Sequence, residues 1–352
     1  MGFGVEYGGA SLLPWNGRRW PGVAGSNEGR CDLAETSQRP SSDPCFARAT
    51  FSHKWEKEAP LLFLLLNFLT FSLFASPALA QSPPLPVVAS FSILGDFVRE
   101  VGGSGVELST IVGPDGDAHV YEPTPGDGRK LSKARLVFVN GFGFEGWIDR
   151  LIAASKTKAQ IVTVSAGVAP RQGEAGLDPH AWQDVANARR YVENIRDALV
   201  AADPSRAILF EANAAAYLVR LEALDREVVL ALKAIPKARR RVVSTHDAFG
   251  YFSARYGIEF IAPQGVSTEA EASARDIARI IDAVKREKVG AVFLENIADP
   301  RLVQRIAAET GAKIGGALYS DALSDAKGPA PDYIEMVRHN VRELVEALGT
   351  AR

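Results

Sequence analysis

From Pro86 to the C-terminus, short apolar runs rich in β-branched residues alternate with stretches whose apolar residues recur every three or four positions. The first pattern predicts buried strands and the second predicts amphipathic helices. Strands that alternate with helices favour a parallel sheet with helices on both faces. The predicted strands are 87–91, 106–112, 135–139, 160–164, 241–245, 258–262, 289–294 and 313–318. The predicted helices are 93–101, 144–154, 184–200, 248–256, 269–287, 300–309 and 332–348, with one more that opens at Thr124 and Pro125.

One longer pattern, from Asp203 to Ile235, divides these elements into two similar halves. Asp203 can cap a helix, Pro204 fits a first helical turn, and Pro236 ends the pattern. At about 1.5 Å per residue this helix is roughly 50 Å long, enough to act as a rigid strut. Its predicted apolar stripe is Ile208, Leu218, Leu221, Leu224, Val228, Leu232 and Ile235.

These patterns favour an α/β fold with two lobes, each a mainly parallel four-stranded sheet with flanking helices, joined by one long backbone helix. We expect the N-terminal lobe at 81–202, the linking helix at 203–236 and the C-terminal lobe at 237–352. The alternative is a single α/β domain that carries one long surface helix. Two lobes joined by a helix would leave a cleft between them.

The first 80 residues form a separate segment. Leu61 to Ala75 is an apolar run that is short for a membrane span, which needs about 20 residues, but fits the core of a signal peptide. Ala78-Leu79-Ala80 is a small-x-small cleavage motif, so we expect cleavage near Ala80 and export to the periplasm. No cysteine stands at this junction, and we therefore expect no stable membrane anchor. Residues 1–50 have no helical or strand period, and we expect this upstream extension to be removed or not made.

The composition argues against a nucleic-acid partner and against cysteine-based bonds in the exported chain. Lys and Arg together number 40, Asp and Glu 42, and the net charge is −2, so nothing indicates a nucleic-acid partner. Cys31 and Cys45 both precede the expected cleavage site. The exported chain would therefore have no disulfide and no thiolate metal ligand.

Three of the four histidines after Ala80 follow the predicted carboxyl ends of strands, where open parallel α/β sheets gather their ligand sites. They are His119, His180 and His246, and Asp321 follows the last strand in the same way. Two of these residues come from each half of the chain, so we expect them to meet across the cleft.

Three imidazoles and one carboxylate are a suitable four-coordinate ligand set for Zn²⁺. Neutral imidazole also suits copper, iron or nickel, whereas manganese favours more carboxylate. Each residue alone has another interpretation: a loop histidine is often a surface or capping residue, and Asp321 can cap a helix that starts at Ala322. Glu122 and Glu295 are candidate acceptors for ligand imidazole N–H groups, or caps of their own loops.

Two other features do not indicate a binding or catalytic site. His339 lies off the apolar stripe of the last predicted helix, and we expect it to face solvent. Residues 141–146 satisfy G-x-G-x-x-G after a strand, but no acidic residue follows at the distance a dinucleotide site requires. We interpret this glycine pattern as a turn packed near the cleft, with Trp147 buried beneath it.

Five segments carry a family resemblance that runs in order from about Leu85 to the C-terminus. They are HVYEPTP at 119–125, NGFGFE at 140–145, DPHAW at 178–182, STHDAF at 244–249 and YSDAL at 319–323. With these segments the chain resembles the zinc-binding receptors of bacterial ABC importers, a family with two α/β lobes and a long backbone helix. The resemblance implies that His119, His180, His246 and Asp321 bind the metal.

The resemblance also implies a mechanism and partners. Manganese receptors of this family place a carboxylate where His246 stands, so the chain is similar to the zinc branch. It lacks the His-rich loop of many zinc receptors, since the segment Gly173 to Gly176 is short. We therefore expect a monomer that captures Zn²⁺, delivers it to a membrane permease and accepts it from a separate periplasmic zinc donor.

Several alternatives remain open at this point. A zinc hydrolase could use the three histidines with Asp321 as its base, but no H-E-x-x-H motif is present. A surface adhesin or a manganese or iron receptor could have the same fold. Because imidazole must be neutral to bind metal, a three-histidine site predicts that affinity falls as pH drops through about 6.5.

Overall fold

The computed structural model describes residues 82–173, 176–287 and 289–349. The expected signal peptide, its cleavage site at Ala80 and both cysteines lie outside these ranges. In the part of the chain that is described, no helix is both long enough and apolar enough to cross a membrane. The boundaries assigned to the two lobes from the sequence stay a prediction.

The first sheet has four parallel strands in the order β2-β1-β3-β4. Its two central strands are the most apolar and the most buried, because helices cover both of their faces. The strands are β1 Leu85–Phe91, β2 Val106–Val112, β3 Leu136–Val139 and β4 Gln160–Thr163. The helices of this lobe are α1 Ser92–Gly102, α2 Pro125–Lys133, α3 Ile148–Ser155 and α4 Val185–Ala202.

The second sheet repeats this arrangement, with parallel strands in the order β10-β9-β7-β8. Read in chain order, both sheets place their second strand outside the first and their fourth outside the third. The strands are β7 Arg241–Val243, β8 Glu259–Ile261, β9 Ala291–Glu295 and β10 Ile314–Leu318. The helices are α6 Gly250–Tyr256, α7 Ala274–Glu287, α8 Arg301–Thr310 and α9 Tyr333–Leu348. The structure thus confirms the predicted fold class.

The long helix between the sheets, α5, spans Ala207–Leu232 and is shorter than predicted. Asp203 caps a separate 3₁₀ turn, because its side chain accepts the backbone N–H of Ser205. The C-terminal end of the helix is held by the Arg240 guanidinium, which donates to the carbonyls of Leu232 and Ile235. Its buried residues are Phe210, Ala214, Tyr217, Leu221, Leu224, Val228 and Leu232.

Two local expectations were wrong, and one short element was missed. Ile208 was placed in the buried stripe of the long helix, yet it is 85% exposed because the helix turns that face to solvent. A short antiparallel hairpin, β5 Arg171–Gly173 with β6 Gly176–Asp178, was not predicted. His339 does not face solvent freely: it is half-buried, its Nε2 lies 2.9 Å from the Ala317 carbonyl oxygen, and its ring contacts Tyr319.

The apolar core runs without a break between the two lobes. One cluster joins the first sheet to α5, α9 and one face of the second sheet, and includes Phe97, Tyr217, Phe293 and Tyr333. A smaller cluster, under α7 and α8, fills the other face of the second sheet. Each large apolar side chain buried in this way contributes about 1.5–3 kcal/mol, so the shared cluster strongly favours one relative arrangement of the two sheets.

Candidate metal centre

Four loops at the carboxyl ends of the strands converge on one buried point. The donor atoms of His119, His180, His246 and Asp321 all lie within 4.8 Å of one another. His180, His246 and Asp321 are fully buried, while the His119 side chain is 3% exposed. The structure therefore brings together the four residues that the sequence singled out.

His119 lies in the long loop after β2 and is the residue nearest to solvent. Its backbone N–H donates to Asp117 Oδ1 at 2.9 Å. The preceding carbonyl, of Ala118, accepts from the Trp147 indole at 2.7 Å. Its ring packs edge-on against Phe144, 4.6 Å between centroids. These contacts fix the ring, and the adjacent Val120, 47% exposed, marks the side from which solvent can approach.

His180 is held by a carboxylate two residues earlier in the chain. Asp178 Oδ1 lies 3.0 Å from the His180 backbone nitrogen and 2.9 Å from Nδ1. The other oxygen of Asp178 pairs with Arg171 at 3.0 Å. Because Nδ1 donates to the carboxylate, the neutral ring has its unprotonated nitrogen at Nε2, the atom that faces the other three residues.

His246 is held by a carboxylate that is distant in sequence. Glu295, at the end of β9, lies 2.6 Å from Nδ1 of His246 through Oε2. Its Oε1 accepts the backbone N–H groups of Thr245 and His246 at 2.7 and 3.0 Å. Glu295 thus lies against the imidazole it was expected to support, as a close charge contact and not as an aligned hydrogen bond. Glu122 does not play that part, since its side chain is exposed.

Sequence reasoning missed Asp178 as the partner of His180. A usable signal was present, because an Asp two residues before a buried residue can accept its backbone N–H in a tight turn. The glycine-rich segment is a turn, as expected: Gly141 and Gly143 have φ of 91° and 78°, a region that favours glycine. Trp147 beneath this turn is buried, also as expected.

The distances between the donor atoms suit a small tetrahedral ion. His119 Nε2 is 3.2 Å from His180 Nε2 and 3.2 Å from Asp321 Oδ2. His246 Nε2 is 3.1 Å from Asp321 Oδ2, and His180 Nε2 is 3.5 Å from Oδ1. Donors about 2.0 Å from a tetrahedral zinc ion are about 3.3 Å from one another.

The negative charge of this centre also favours a bound cation. Three carboxylates, those of Asp178, Glu295 and Asp321, are buried here, and one is balanced by Arg171. Within the described residues, Asp321 Oδ1 is a buried oxygen without a hydrogen-bond partner. With neutral imidazoles the centre holds an excess of negative charge that a divalent ion would neutralise, since a buried charge without a partner is costly.

Without a bound cation, two histidines of this centre carry an additional proton. Burial alone lowers the pKa of His180, but the carboxylates of Asp321 and Asp178 raise it to about 8. Burial likewise opposes the charged form of His246, yet Glu295 and Asp321 raise its pKa well above the ordinary value. For His119, burial dominates and lowers the pKa. Metal binding must therefore displace protons from His180 and His246.

Residues 87–347 match the family described as ZnuA, zinc-uptake complex component A, periplasmic. The chain belongs to this family. The receptor is 36% identical over 267 residues to the manganese-binding lipoprotein MntA of Halalkalibacterium halodurans, a match that covers 75% of this chain and 89% of that relative. It is 33% identical over 302 residues to the iron-binding protein YfeA of Yersinia pestis, covering 83% and 96%. The solved structure of the periplasmic zinc-binding protein TroA of Treponema pallidum matches with a TM-score of 0.72 and 33% identity, covering 76% and 100%.

Family membership establishes the general function of the receptor. It is a metal-binding receptor of an ABC importer, which works with a membrane permease and an ATPase. The family consists of substrate-binding proteins, not enzymes, so it does not favour a hydrolase. The relatives are named for manganese, iron and zinc, so membership alone leaves the choice of metal open.

Proposed function

We propose that the receptor captures Zn²⁺ at His119, His180, His246 and Asp321 and delivers it to the permease of an ABC importer. The observation that carries the proposal is the donor set: three imidazoles and one carboxylate, separated by roughly the edge of a zinc-centred tetrahedron. Four protein ligands leave no open position for water, which is the arrangement of a holding site and not of a catalytic zinc site.

The choice of zinc over manganese rests on His246. Manganese favours oxygen ligands and higher coordination numbers, whereas the four donors of this centre are one carboxylate and three imidazoles. The carboxylate of Glu295 faces Nδ1 of His246, on the side of the ring opposite the other donors, so it supports the imidazole and does not add a donor. A manganese or iron receptor is the alternative that the names of the relatives keep open.

Further parts of the proposal concern partners and location. The receptor acts as a monomer in the periplasm, after cleavage of a signal peptide near Ala80. Release occurs when docking to the permease draws the ligands apart, a movement of packed elements about an interface. The sequence between Gly173 and Gly176 is short and contains no histidine, which favours loading by a separate zinc donor over a metal-collecting loop.

The test is a competition titration of residues 81–352 with Zn²⁺, Mn²⁺ and Fe²⁺ against a chelator, combined with metal analysis of the purified protein. We expect one tightly bound zinc per chain and much weaker manganese. His246→Glu should move the preference towards manganese, because it exchanges an imidazole for a carboxylate. His339→Ala is the matched control, since this histidine lies outside the donor set.

Two results would contradict the proposal. Tighter binding of manganese than of zinc by the unaltered receptor would assign the alternative metal. Zinc binding that is indifferent to Asp321→Ala and His246→Ala would show that the four residues are not one site.

A further inference from the structure

The loop that carries Asp321, residues 319–324, follows a strand of the second sheet but is bonded to the first lobe. The carbonyl of Ser320, the residue before Asp321, accepts from the Trp182 indole at 2.9 Å and from the Gln183 side chain at 2.7 Å. All of these groups are buried. Trp182 and Gln183 follow His180 by two and three residues in the first lobe, so the same turn positions both His180 and Asp321.

The other end of the Asp321 loop is attached to the first lobe as well. The backbone N–H of Leu323 donates to Ser92 Oγ at 3.0 Å, and its carbonyl accepts from the backbone N–H of Asp115 at 2.8 Å. Ser92 begins α1, and Asp115 lies in the loop that leads to His119. Four hydrogen bonds therefore join the Asp321 loop to the lobe that holds His119 and His180.

The helix after this loop, α9, packs on β10 of the second sheet but is also bonded to the first lobe. At its start, the Tyr333 backbone N–H donates to Asp96 Oδ2 at 3.0 Å, and the Tyr333 hydroxyl donates to the Trp182 carbonyl at 2.6 Å. The Tyr333 ring packs on Phe97, 4.8 Å between centroids. Asn340 of the same helix bonds both backbone groups of Tyr319, the first residue of the loop.

The backbone around His246, unlike the Asp321 loop, is bonded to the second lobe. The hydrogen bonds described for its backbone go to Glu295 and Ser244, both in the second lobe, and it bridges to Gln264 there. Near it, the two lobes are joined at the rim of the cleft. Arg171 N–H donates to Tyr251 Oη at 3.0 Å, and this group is only partly buried.

Two further bonds at this rim are also open to water. Thr268 Oγ1 donates to Asp117 Oδ2 at 2.6 Å, and Asn296 donates to Asp115 Oδ1 at 3.0 Å. A side chain at such a position can exchange its partner for water, so each bond opposes separation weakly, whereas breaking the buried bonds of Ser320 would leave unpaired polar groups.

Strand β10 has a weak point just before the Asp321 loop. Its register with β9 shifts between Ile314 and Ala317. Gly316 lies in this interval with φ of 103°, a conformation that side-chain-bearing residues rarely adopt. The bulge lets β10 bend there, but the ladder resumes at Ala317 and Leu318, which pair with Leu294 and Glu295, so the loop separates from the second sheet only beyond Leu318.

We propose that the four metal ligands divide three to one when the receptor opens. Asp321 stays with His119 and His180 on the first lobe, and His246 alone is withdrawn with the second sheet. Trp182 and Gln183 are the positioning residues that keep Asp321 in place. This inference rests on the proposed function, because it describes how the proposed metal site releases its ion.

The division has a chemical consequence for delivery. Loss of one imidazole converts a closed four-ligand site into a three-ligand site with an open position, which is the form of zinc site that exchanges a ligand. The ion would remain bound by three residues until a donor of the permease occupies the position that His246 has left.

The test uses two tryptophan indoles as reporters. Residues 81–352 contain only Trp147 and Trp182, so each indole N–H gives an assignable NMR signal. Trp182 reports the bond to Ser320, and Trp147, bonded to Ala118 within the first lobe, is the control. Hydrogen exchange is measured at both indoles and at the Arg171 amide, which reports the rim, with zinc and after its removal.

We expect the Arg171 amide to exchange faster after zinc is removed, while the Trp182 indole stays as protected as that of Trp147. Loss of Trp182 protection together with Arg171 would show a two-to-two division and overturn the proposal. Unchanged exchange at all three groups would also overturn it, because nothing would then separate. If the competition titration shows no zinc binding, the proposed function fails. Hydrogen exchange in the metal-free protein would then still show whether Asp321 stays with the first lobe.

A second test asks whether Gln183 acts through Asp321. Gln183→Leu removes one donor to Ser320 and should weaken zinc binding about three- to tenfold, the usual range for one hydrogen bond. In the Asp321→Asn background the same change should have less than about a twofold effect, while in the His246→Ala background its effect should persist. Equal effects in both backgrounds would assign Gln183 a general structural role and overturn its assignment as a positioning residue.

Discussion

The two lobes hold their central imidazoles with the same chemistry but build it in different ways. In the first lobe the supporting carboxylate, Asp178, is two residues from His180, and one turn of chain makes the pair. In the second lobe the carboxylate is Glu295, at the end of a neighbouring parallel strand, and it also accepts the backbone N–H of His246. The first pair is local, whereas the second exists only when β7 and β9 are paired.

This difference shows which part of the site depends on the fold. Asp178 can hold His180 whenever its own loop is ordered, and Arg171 balances its charge. Glu295 holds His246 only if the second sheet is intact. We therefore expect the second-lobe pair to be the more sensitive one, and the following changes test that comparison.

The largest effect should come from removing an imidazole. His246→Ala should weaken zinc binding on the order of 100-fold or more, since about 10–16 kcal/mol of binding energy at a structural zinc site is shared by its ligands. His180→Ala should weaken it at least as much, because His180 lies within 3.5 Å of both His119 and Asp321. Chelator competition measures both, and an affinity within tenfold of the unaltered protein would exclude either residue as a ligand.

Acid should weaken zinc binding by up to about 100-fold between pH 8 and pH 7. The metal-free site binds protons at His180, whose pKa is raised to about 8, and at His246, whose pKa is raised further, whereas the zinc-bound site requires both neutral. Lower pH therefore favours the metal-free form, by about tenfold per pH unit for each proton displaced. The pH range in which zinc affinity falls lies above the pKa of about 6.5 expected for an ordinary imidazole. Affinity that is constant over this range, measured by competition at fixed ionic strength, would contradict the three-histidine site.

Neutralising the supporting carboxylates should have the next largest effect, about 10- to 100-fold, because such partners orient the imidazole and increase its basicity. We expect Glu295→Gln to exceed Asp178→Asn. Gln at 295 must serve two backbone donors and one ring nitrogen with a single acceptor oxygen, whereas the Asp178 turn is short and local. Zinc titration and thermal unfolding of both variants make the comparison, and the opposite order would refute it.

Glu122→Gln should change zinc affinity by less than about twofold. Its side chain is exposed, and a single exposed charge contributes little. The same titration serves as the measurement. A larger loss would show that Glu122 reaches the site when metal is bound.

The loop at His119 and the turn at His180 show how far sequence reasoning extended. The positions of all four candidate ligands could be predicted, because strands 106–112 and 313–318 were readable from their apolar runs and a parallel sheet gathers its loops at one edge. Asp178 lies in the DPHAW segment, but its role depends on the burial of His180, which the sequence does not show. Ile208 was assigned to the buried stripe because periodicity alone does not show where the covered face of a helix ends.

By itself, the sequence determined the order of strands and helices, the long helix between two similar halves, and the type of metal donor. These properties follow from local periodicity and from side-chain chemistry, which neighbouring residues in the chain define. Only the tertiary structure decided that Glu295 supports His246, that the Ser320 carbonyl is held by Trp182 and Gln183, and that Asp321 is therefore attached to the first lobe. The reason is physical: these contacts join residues 49 to 138 positions apart, and they form only when two sheets share one buried core.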